Sequence, residues 1–276
     1  MPSRWSALKP NIKELLPQRR PESHKGDYGH ALIIAGSQGM AGAAILASRG
    51  ALKVGAGLTF LACPKELINF INPVTPEVIV LSFDQIKNSQ PDAIGIGPGL
   101  GVCANTNKLL KSVLELSCPL VIDADALNVL AANTAMLKKS HSQLILTPHP
   151  GEMARLMKKE TNYIQQHRRE VAVEAAQRFN CIIVLKGGQT IVADSTGQIY
   201  INETGNPGMA KGGSGDVLTG MITGLVAQKI SSWKATCAAV YLHGLAGDLA
   251  AQDIGQYGMI ASDLVEKIPY ALQKAS

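Results

Sequence analysis

Aromatic residues are scarce in this sequence: Phe, Trp and Tyr make up 4% of 276 residues, although hydrophobic residues as a whole make up 46%. The core must therefore consist mainly of Ala, Val, Ile and Leu. Together with 27 glycines, these small side chains favour helices that pack closely on a parallel sheet. The scarcity of rings also leaves few platforms on which nucleic-acid bases could stack.

Strong charge is lacking as well, since the formal net charge is only +5. Paired basic residues, Arg19-Arg20 and Arg168-Arg169, are isolated and do not form the basic stripe expected of a nucleic-acid-binding surface. A weak positive field still attracts small anionic molecules. We therefore expect small anionic ligands and no nucleic-acid partner.

The sequence also lacks any long apolar stretch. The run 217–227 is far too short to span a membrane, and the N-terminal segment lacks the apolar core of a signal peptide.

The cysteines show no CxxC spacing and have apolar neighbours, which favours buried, reduced thiols over disulfides or a metal site. They lie at positions 63, 103, 118, 181 and 237. We expect a cytoplasmic protein without a membrane segment.

Compact apolar runs alternate with longer helical patterns along the chain. Strand-like runs cover residues 31–35, 58–62, 78–81, 93–96, 120–122, 144–146, 182–185 and 190–193. Helix-like stretches cover residues 41–54, 106–116, 151–159, 164–179, 215–228, 234–251 and 261–273. Because several strand-like runs are apolar throughout, both faces of the sheet are predicted to be buried.

This order of elements predicts one α/β domain over residues 1–276, with a three-layer, doubly wound, mostly parallel sheet flanked by helices. A proline-punctuated lead-in segment, residues 1–23, precedes it and is predicted to contain one short helix near 11–16. Loops rich in glycine and polar residues follow the strands, at 36–42, 97–101, 123–128, 147–152 and 186–190. Since ligands bind outside the carboxyl ends of such strands, a site is predicted at this edge.

The glycine-rich run 205–216 precedes an apolar helical stretch. Glycine lets the backbone approach a ligand, and the first N–H groups of a helix have no intrahelical partner. Gly213, Ser214 and Gly215 are therefore predicted to form an anion hole. Asp216 could take a proton from a reacting hydroxyl, and the helix dipole favours its ionised form. The alternative is an ordinary loop in which Asp216 only caps the helix.

Two common nucleotide-binding motifs are missing. The sequence contains no Gly-Lys pair, which excludes a Walker loop, and the run 36–42 has the spacing GxxGxxG instead of GxGxxG. A dehydrogenase is therefore disfavoured. The glycines of 36–42 either hold a phosphate or ribose of a ligand, or form a turn that lets a helix pack closely.

Polar residues at other strand ends have two readings each. His149, between two prolines, either binds a ligand or is structural. Glu152 either caps a helix or holds water on Mg²⁺, which commonly keeps waters and one or two carboxylates. The same alternatives apply to Asp123, Asp125 and Asn128. The remaining histidines have no ligand-like spacing, so no function is expected for His24, His30, His141, His167 and His243.

The segment 186–190, Lys-Gly-Gly-Gln-Thr, joins two strand-like runs as a hairpin or a tight crossing would. It is either an ordinary turn without a ligand or a turn whose backbone binds adenosine or its α-phosphate. In the second reading, Lys186 and Thr190 are donors to the nucleotide.

A series of motifs occurs in a fixed order: His24-Lys-Gly-x-Tyr-Gly29, Ala35-Gly-Ser-x-x-Met-x-Gly-Ala-Ala44, Gly97-Pro-Gly-Leu100, Asp123-Ala-Asp-Ala-Leu-Asn128, Leu146-Thr-Pro-His-Pro-Gly-Glu152, Val184-Leu-Lys-Gly-x-Gln-Thr190 and Gly205-Asn-x-x-Met-Ala-Lys-Gly-Gly-Ser-Gly-Asp216. In this order they resemble the ADP/ATP-dependent NAD(P)H-hydrate dehydratase family, whose fold is ribokinase-like. The resemblance runs from about residue 24 to the end of the chain, and the motifs are specific in combination.

The resemblance implies an enzyme of nicotinamide nucleotide repair. Such an enzyme dehydrates the S epimer of NADH-hydrate and NADPH-hydrate, which carries a hydroxyl at C6 of the nicotinamide ring, to NADH and NADPH. ADP, or ATP in eukaryotic members, is the cosubstrate, with AMP and phosphate formed from ADP, and Mg²⁺ is the implied cofactor. Phosphorylation makes the C6 hydroxyl a good leaving group, and Asp216 would accept its proton.

Site residues follow from the same resemblance. The hydrate would contact Ala44, Gly99, His149 and Asp216, and the nucleotide would contact Lys186, Gly187, Gly188, Gln189, Thr190 and Gly215. Asp125, Asn128 and Glu152 are candidates for the metal and phosphate region. Family members often form homo-tetramers, so a homo-oligomer is expected.

Two other functions remain open on the sequence. A ribokinase-like kinase for a vitamin precursor would share the glycine–aspartate anion hole, but the His-Lys-Gly and His-Pro-Gly-Glu motifs count against it. A non-catalytic sensor of dinucleotides or adenylates would not need Asp216.

Many family members carry an epimerase domain that interconverts the R and S hydrates, whereas only some two dozen residues precede the first motif here. The epimerase is therefore expected to be a separate protein. We predict that this chain, given pure R hydrate and ADP, forms almost no NADH, as followed by the absorbance of reduced nicotinamide. Rapid conversion of the R hydrate would contradict the expectation.

Overall fold

The computed structural model describes residues 10–16 and 19–276. Nine strands form one sheet in the order β3-β2-β1-β4-β5-β6-β7-β8-β9. The first seven strands pair in parallel, and β8 and β9 follow as antiparallel additions. The strands are β1 (His30–Ile34), β2 (Leu58–Cys63), β3 (Ile79–Ser82), β4 (Ala93–Ile96), β5 (Leu120–Ile122), β6 (Leu144–Leu146), β7 (Ile182–Leu185), β8 (Ile191–Ala193) and β9 (Ile199–Ile201).

Helices cover both faces of this sheet. In the described ranges they are α1 (Ile12–Leu15), α2 (Ala41–Lys53), α3 (Lys65–Ile71), α4 (Ala104–Leu114), α5 (Ala124–Ala132), α6 (Pro150–Met157), α7 (Thr161–Gln166), α8 (Arg168–Phe179), α9 (Ser214–Ala227), α10 (Ser232–Gly258) and α11 (Ala261–Ala275). The predicted three-layer, doubly wound, mostly parallel sheet is confirmed. That residues 1–276 form a single domain stays a prediction.

The structure differs from the predicted elements in a few places. The predicted helix 164–179 is two helices, because His167 takes the non-helical angles φ −125° and ψ 38° between α7 and α8. The sequence analysis missed α3 and the short edge strand β9. The lead-in helix is confirmed as α1, whereas residues 1–9 and 17–18 of the lead-in segment lie outside the described residues.

Each face of the sheet has its own hydrophobic core, and β1 shows why. Ala31, Ile33 and Ala35 pack with residues of α2, α9, α10 and α11. Leu32 and Ile34, which point to the opposite face, pack with residues of α4, α5, α6 and α8. The expectation that the strands are buried on both faces is therefore correct.

The cysteines are free thiols, as expected. Cys63, Cys181 and Cys237 are buried, but Cys103 is exposed and Cys118 is half-buried, which corrects the prediction that all are buried. Burial raises the pKa of Cys63 and of Cys118 to about 11, so both thiols stay protonated near neutral pH. None of the described helices has the length and apolarity needed to cross a membrane.

The sheet changes its winding direction between β1 and β4. Strands β2 and β3 extend the sheet from one side of β1, whereas β4 to β9 extend it from the other. In doubly wound folds, ligands bind in a crevice beside the carboxyl ends of the two strands at such a switch point, which are β1 and β4 here. The fold thus confines the candidate site to the edge predicted from the sequence.

Helices α2 and α9 pack with their backbones in close contact. A Cβ atom on Gly220 would overlap the carbonyl oxygen of Ala47, and a Cβ atom on Gly50 would lie 2.6 Å from the carbonyl oxygen of Val217. Only glycine therefore allows the two backbones to approach this closely. The contact fixes α9, whose first turn carries Asp216, against α2, which carries Ala44.

We predict that Gly220→Ala destabilises the fold by about 1–3 kcal/mol, because the methyl group must push α2 and α9 apart. Gly42→Ala is the matched control, since Gly42 is an exposed residue of α2 and a methyl group there would meet no neighbouring element within 4 Å. That change should be neutral or stabilising by up to about 1 kcal/mol. Urea unfolding measures both, and equal midpoints for the two variants would contradict the proposed contact.

Candidate active site

The glycine-rich run ends at the first turn of α9, where the sequence placed an anion hole. Gly213 precedes the helix with φ +92°, and a Cβ atom there would lie 2.6 Å from Leu46 Cδ1. The positive φ favours glycine here, and a Cβ atom would also lie 2.9 Å from Ala261 Cβ. Ser214 is the first residue of α9, and Asp216 lies in its first turn. The predicted Gly213, Ser214 and Gly215 are thus at a helix N-terminus, which favours bound anions.

A buried ion pair lies beside this turn. Lys186 Nζ is 2.6 Å from Asp123 Oδ1, and Thr219 Oγ1 of α9 donates to Asp123 Oδ2 at 2.7 Å. Lys186 Nζ also lies 3.9 Å from Glu152 Oε2. The side chain of Asp123 is 1% exposed and that of Lys186 is 17% exposed. We call Asp123, Glu152, Lys186 and Asp216 the carboxylate–lysine cluster.

Lys186 joins this cluster from the end of β7. Its backbone N–H donates to the carbonyl oxygen of Pro148 at 2.9 Å, and its Nζ lies 3.3 Å from the position of a Cβ atom on Gly215. Burial alone would lower the pKa of the Lys186 ammonium, but Asp123 and Glu152 outweigh burial and raise it. The side chain therefore stays charged, next to the anion hole.

Asp216 has an unusual protonation equilibrium. Burial, followed by repulsion from Asp123, raises the pKa of Asp216 to about 7, although the Lys186 ammonium opposes the shift. Burial also raises the pKa of Glu152. A carboxylate with a pKa close to neutral pH is suited to accept a proton from a hydroxyl.

Sequence reasoning left Asp123 with two open readings and missed its partner. Asp123 precedes α5, and the next residue, Ala124, takes φ +47°, which costs about 1–3 kcal/mol for a residue with a Cβ atom. A Cβ atom on Gly97 would overlap the carbonyl oxygen of Asp123, so the loop after β4 packs directly on it. The available signal was an acidic residue directly after a buried strand.

His149 and Glu152 cap α6 together. His149 Nδ1 accepts from Gly151 N at 3.0 Å, and Glu152 Oε2 accepts from His149 N at 2.8 Å. Because Nδ1 accepts a hydrogen bond, the proton of a neutral ring is on Nε2, and burial, helped by Lys186, lowers the pKa of His149. The cap accounts for the positions of both residues, and Nε2 of the ring lies 3.4 Å from Glu152 Oε1 of the cluster.

The crevice between the loops after β1 and β4 contains two other predicted residues. Ala44 is buried, and Gly99 has φ +63° with its Cβ position 2.9 Å from Met40 Cβ. Ser37 Oγ donates to the carbonyl oxygen of Gly99 at 2.7 Å, which ties the two loops together. Gly36 has φ +88° and donates to Pro98 O at 2.9 Å. The turn reading of 36–42 is therefore supported at Gly36.

The segment 186–190 is a hairpin turn between the antiparallel strands β7 and β8. Thr190 Oγ1 donates to the carbonyl oxygen of Gly187 at 3.0 Å, and Gln189 takes φ +54°. Arg168 of α8 supports the turn by donating to the carbonyl oxygen of Leu185 at 3.1 Å. Gly188 and Gln189 are exposed and border a surface cavity of about 260 Å³. The side chain of Lys186 points towards Asp123 in the carboxylate–lysine cluster, so its ammonium is not part of this exposed turn.

A family model for NAD(P)H-hydrate dehydratase matches residues 31–270 of the chain. The chain belongs to the NAD(P)H-hydrate dehydratase family. It is 38% identical over 265 residues to the ADP-dependent (S)-NAD(P)H-hydrate dehydratase of Bacillus subtilis, covering 94% of this chain and 94% of that protein.

Other members of the NAD(P)H-hydrate dehydratase family are larger. The chain is 43% identical over 274 residues to a bifunctional NAD(P)H-hydrate repair enzyme of Moorella thermoacetica, covering 94% of this chain and 52% of that protein. It thus spans about half the length of the bifunctional relatives that it matches.

Solved structures of similar proteins have the same fold. A crystal structure of ADP/ATP-dependent NAD(P)H-hydrate dehydratase from Bacillus subtilis, co-crystallised with ATP/Mg²⁺, superposes with a TM-score of 0.86 at 37% identity, covering 96% of each chain. A ribokinase-like superfamily protein from Enterococcus faecalis superposes with a TM-score of 0.86 at 30% identity, covering 98% of this chain and 95% of that one. The expected ribokinase-like fold is confirmed.

The residues suggested for a metal do not form a preformed coordination site. Within residues 10–16 and 19–276, no three His, Cys, Asp or Glu side chains gather as a metal site. Asn128 Oδ1 accepts from Arg155 Nη1 at 2.9 Å, and Asp125 Oδ2 accepts from Gly101 N at 2.8 Å. The three carboxylates around Lys186 nevertheless leave an excess of negative charge. This fits Mg²⁺ held mainly by phosphate and water, with one or two carboxylates.

We predict that Asp216→Asn makes the ligand-free protein more stable than the wild type at alkaline pH. The folded-state pKa of Asp216, about 7, lies above its ordinary value of 3.8. The cost of ionising it in the fold is therefore absent at low pH, develops as pH rises through this window, and is complete above about pH 7. Each kcal/mol corresponds to about 2–4 °C in melting temperature. A melting-temperature difference that does not change between about pH 4 and 8 would contradict this account.

Proposed function

We propose that the chain catalyses the ADP-dependent dehydration of the S epimers of NADH-hydrate and NADPH-hydrate to NADH and NADPH, with release of AMP and phosphate. The observation that carries the proposal is Asp216, a carboxyl with a pKa of about 7 in the first turn of α9. The name of the Bacillus subtilis relative supports this choice of substrate and donor.

The difficulty of the reaction is the leaving group, since hydroxide leaves carbon poorly and phosphate leaves far more readily. Transfer of the terminal phosphoryl group of ADP to the C6 oxygen forms an O–P bond and releases AMP. Asp216 takes the proton of the attacking hydroxyl. Loss of phosphate from C6, together with a proton from C5, then restores the double bond of the ring.

The first turn of α9 stabilises the charge of the transferring phosphoryl group in this proposal. The N–H groups of Gly213 and Gly215 donate to its oxygens, because the first N–H groups of a helix have no intrahelical partner. The N–H group of Ser214, also predicted for the anion hole, already donates to the carbonyl oxygen of Lys211 at 3.4 Å. Lys186 adds positive charge beside Gly215 while Asp123 holds its ammonium in place. This changes the role predicted for Lys186, from a donor to the adenosine or its α-phosphate to a charge near the transferred phosphate.

Substrate and nucleotide occupy neighbouring parts of the edge in this proposal. The nicotinamide hydrate lies in the crevice of Ala44 and Gly99, with the Nε2–H group of His149 as a donor to it. The nucleotide lies along the backbone of Gly187, Gly188, Gln189 and Thr190, with its terminal phosphate at Gly215. The two ligands then meet at Asp216.

Mg²⁺ supplies charge neutralisation for the phosphates when it is bound, and Glu152, Asp125 and Asn128 stay candidates for its coordination sphere through water. The use of Mg²⁺ is consistent with the ATP/Mg²⁺ of the Bacillus subtilis crystal structure. Cytoplasmic location, a homo-oligomeric state and a separate epimerase as functional partner stay predictions from the sequence.

The test is incubation of the chain with purified S hydrate, Mg²⁺ and either ADP or ATP, with the absorbance of reduced nicotinamide as the readout. We predict regeneration of NADH and NADPH with release of AMP from ADP. As Asp216 must be ionised to accept a proton, kcat/KM should fall as pH drops below about 7. If the absorbance of reduced nicotinamide does not rise with either donor, the proposal is rejected. A stable phosphorylated product without this absorbance would indicate a kinase.

The variant for this assay is Asp216→Asn, which keeps the shape of the side chain but cannot accept the proton. Its kcat should fall by about 10²–10⁴-fold. Asp194→Asn is the matched control, because Asp194 lies in the turn between β8 and β9 and accepts hydrogen bonds from Thr196 and Gln198. It should keep wild-type activity. Unchanged turnover of Asp216→Asn would move the catalytic base elsewhere.

A further inference from the structure

One face of α10 contacts the glycine-rich run 205–216 at its start, at Met209 and near its end. At the start of the run, Gly205 N donates to Asp248 Oδ2 at 2.9 Å, and Asn206 Nδ2 donates to Asp248 Oδ1 at 3.0 Å. Further along, a Cβ atom on Gly247 would overlap the side chain of Met209. The run is therefore held by a helix that lies outside the carboxylate–lysine cluster.

The end of the run contacts His243 on the same face of α10. His243 is 9% exposed, and its Nε2 lies 2.9 Å from the carbonyl oxygen of Ser214. A carbonyl oxygen only accepts, so Nε2 carries a proton and donates it. Burial lowers the pKa of His243 to about 4, so the ring is neutral near pH 7. Sequence reasoning had assigned no function to this histidine.

This hydrogen bond acts on a peptide unit of the anion hole. The carbonyl group of Ser214 and the N–H group of Gly215 belong to the same planar peptide, and no cis peptide bond occurs among the described residues. In a trans peptide the C=O and N–H bonds point in opposite directions. Fixing the Ser214 carbonyl towards α10 therefore directs the Gly215 N–H away from α10.

We propose that His243 is a positioning residue: its Nε2–H holds the Ser214–Gly215 peptide so that the Gly215 N–H faces the transferred phosphoryl group. Asp248 anchors the opposite end of the same run. The inference rests on the proposed function for the identity of the phosphoryl donor. The hydrogen bond and the orientation of the peptide are observed in the structure and do not depend on the proposed function.

The test compares two changes at the same position. His243→Gln keeps an N–H donor at about the reach of Nε2, whereas His243→Leu fills similar space without a donor. Thr236→Val is the matched control, since Thr236 is a fully buried residue of α10 whose Oγ1 donates to Ser232 O at 2.7 Å, away from the glycine-rich run. It loses a buried hydrogen bond of the same helix without touching the anion hole.

We expect His243→Leu to lower kcat per folded molecule by about 10–100-fold, because a misdirected donor no longer stabilises the transition state. The KM for the hydrate should change by less than about threefold, since the crevice at Ala44 and Gly99 is untouched. His243→Gln should recover kcat to within a few-fold of the wild type. Thr236→Val should lower the unfolding midpoint and leave kcat unchanged.

A second readout does not depend on turnover. Hydrogen exchange of peptides covering residues 205–217 should become faster in His243→Leu, and should stay near the wild-type rate in His243→Gln and Thr236→Val. If the wild type dehydrates no hydrate, the proposed function fails, while the exchange experiment still tests the hydrogen bond. Should His243→Leu not fold, His243→Asn replaces it, because its amide is too short to reach the Ser214 carbonyl.

Two results would overturn the proposal. One is wild-type kcat and wild-type exchange in the variant that lacks the donor. The other is an equal loss of kcat in His243→Gln and His243→Leu, which would mean that the ring shape matters and the hydrogen bond does not.

Discussion

The buried contact between Lys186 Nζ and Asp123 Oδ1 joins parts of the chain that would otherwise be independent. Lys186 follows β7, Asp123 follows β5, and Thr219 of α9 binds the same carboxylate. Removing one partner of a buried ion pair leaves an uncompensated charge and costs about 3–5 kcal/mol. Through Thr219, this pair links α9, and with it the predicted anion hole and Asp216, to the ends of β5 and β7.

The same pair determines the chemistry of its surroundings. Three carboxylates share one ammonium, so the local charge is negative before any ligand binds. Burial, followed by repulsion from Asp123, raises the pKa of Asp216 to about 7. A site of this kind is poorly matched to a phosphate alone and better matched to a phosphate accompanied by a cation. The apparent conflict between an anion hole and an acidic cluster thus disappears once the nucleotide is considered with its metal.

The sequence predicted the edge of the sheet and most of the loops at it, because glycine and polar residues after apolar runs are local signals. It missed β9 and α3, which are short, and it merged α7 with α8 because the break at His167 has no glycine or proline. The contact of Lys186 with Asp123 joins residues 63 positions apart, so no local pattern could show it. His243 was missed because a lone histidine in an apolar helix is usually a core residue.

The glycine contact between α2 and α9 has a consequence for how the two reacting molecules meet. In the proposed reaction the hydrate contacts Ala44 and the phosphate lies beside Asp216, and these two residues belong to helices that touch backbone to backbone through Gly50 and Gly220. The two helices therefore behave as one packed unit. If Asp216 is the base of the proposed reaction, its position relative to Ala44 is set when the protein folds, so that ligand binding need not carry the entropic cost of bringing the two helices together.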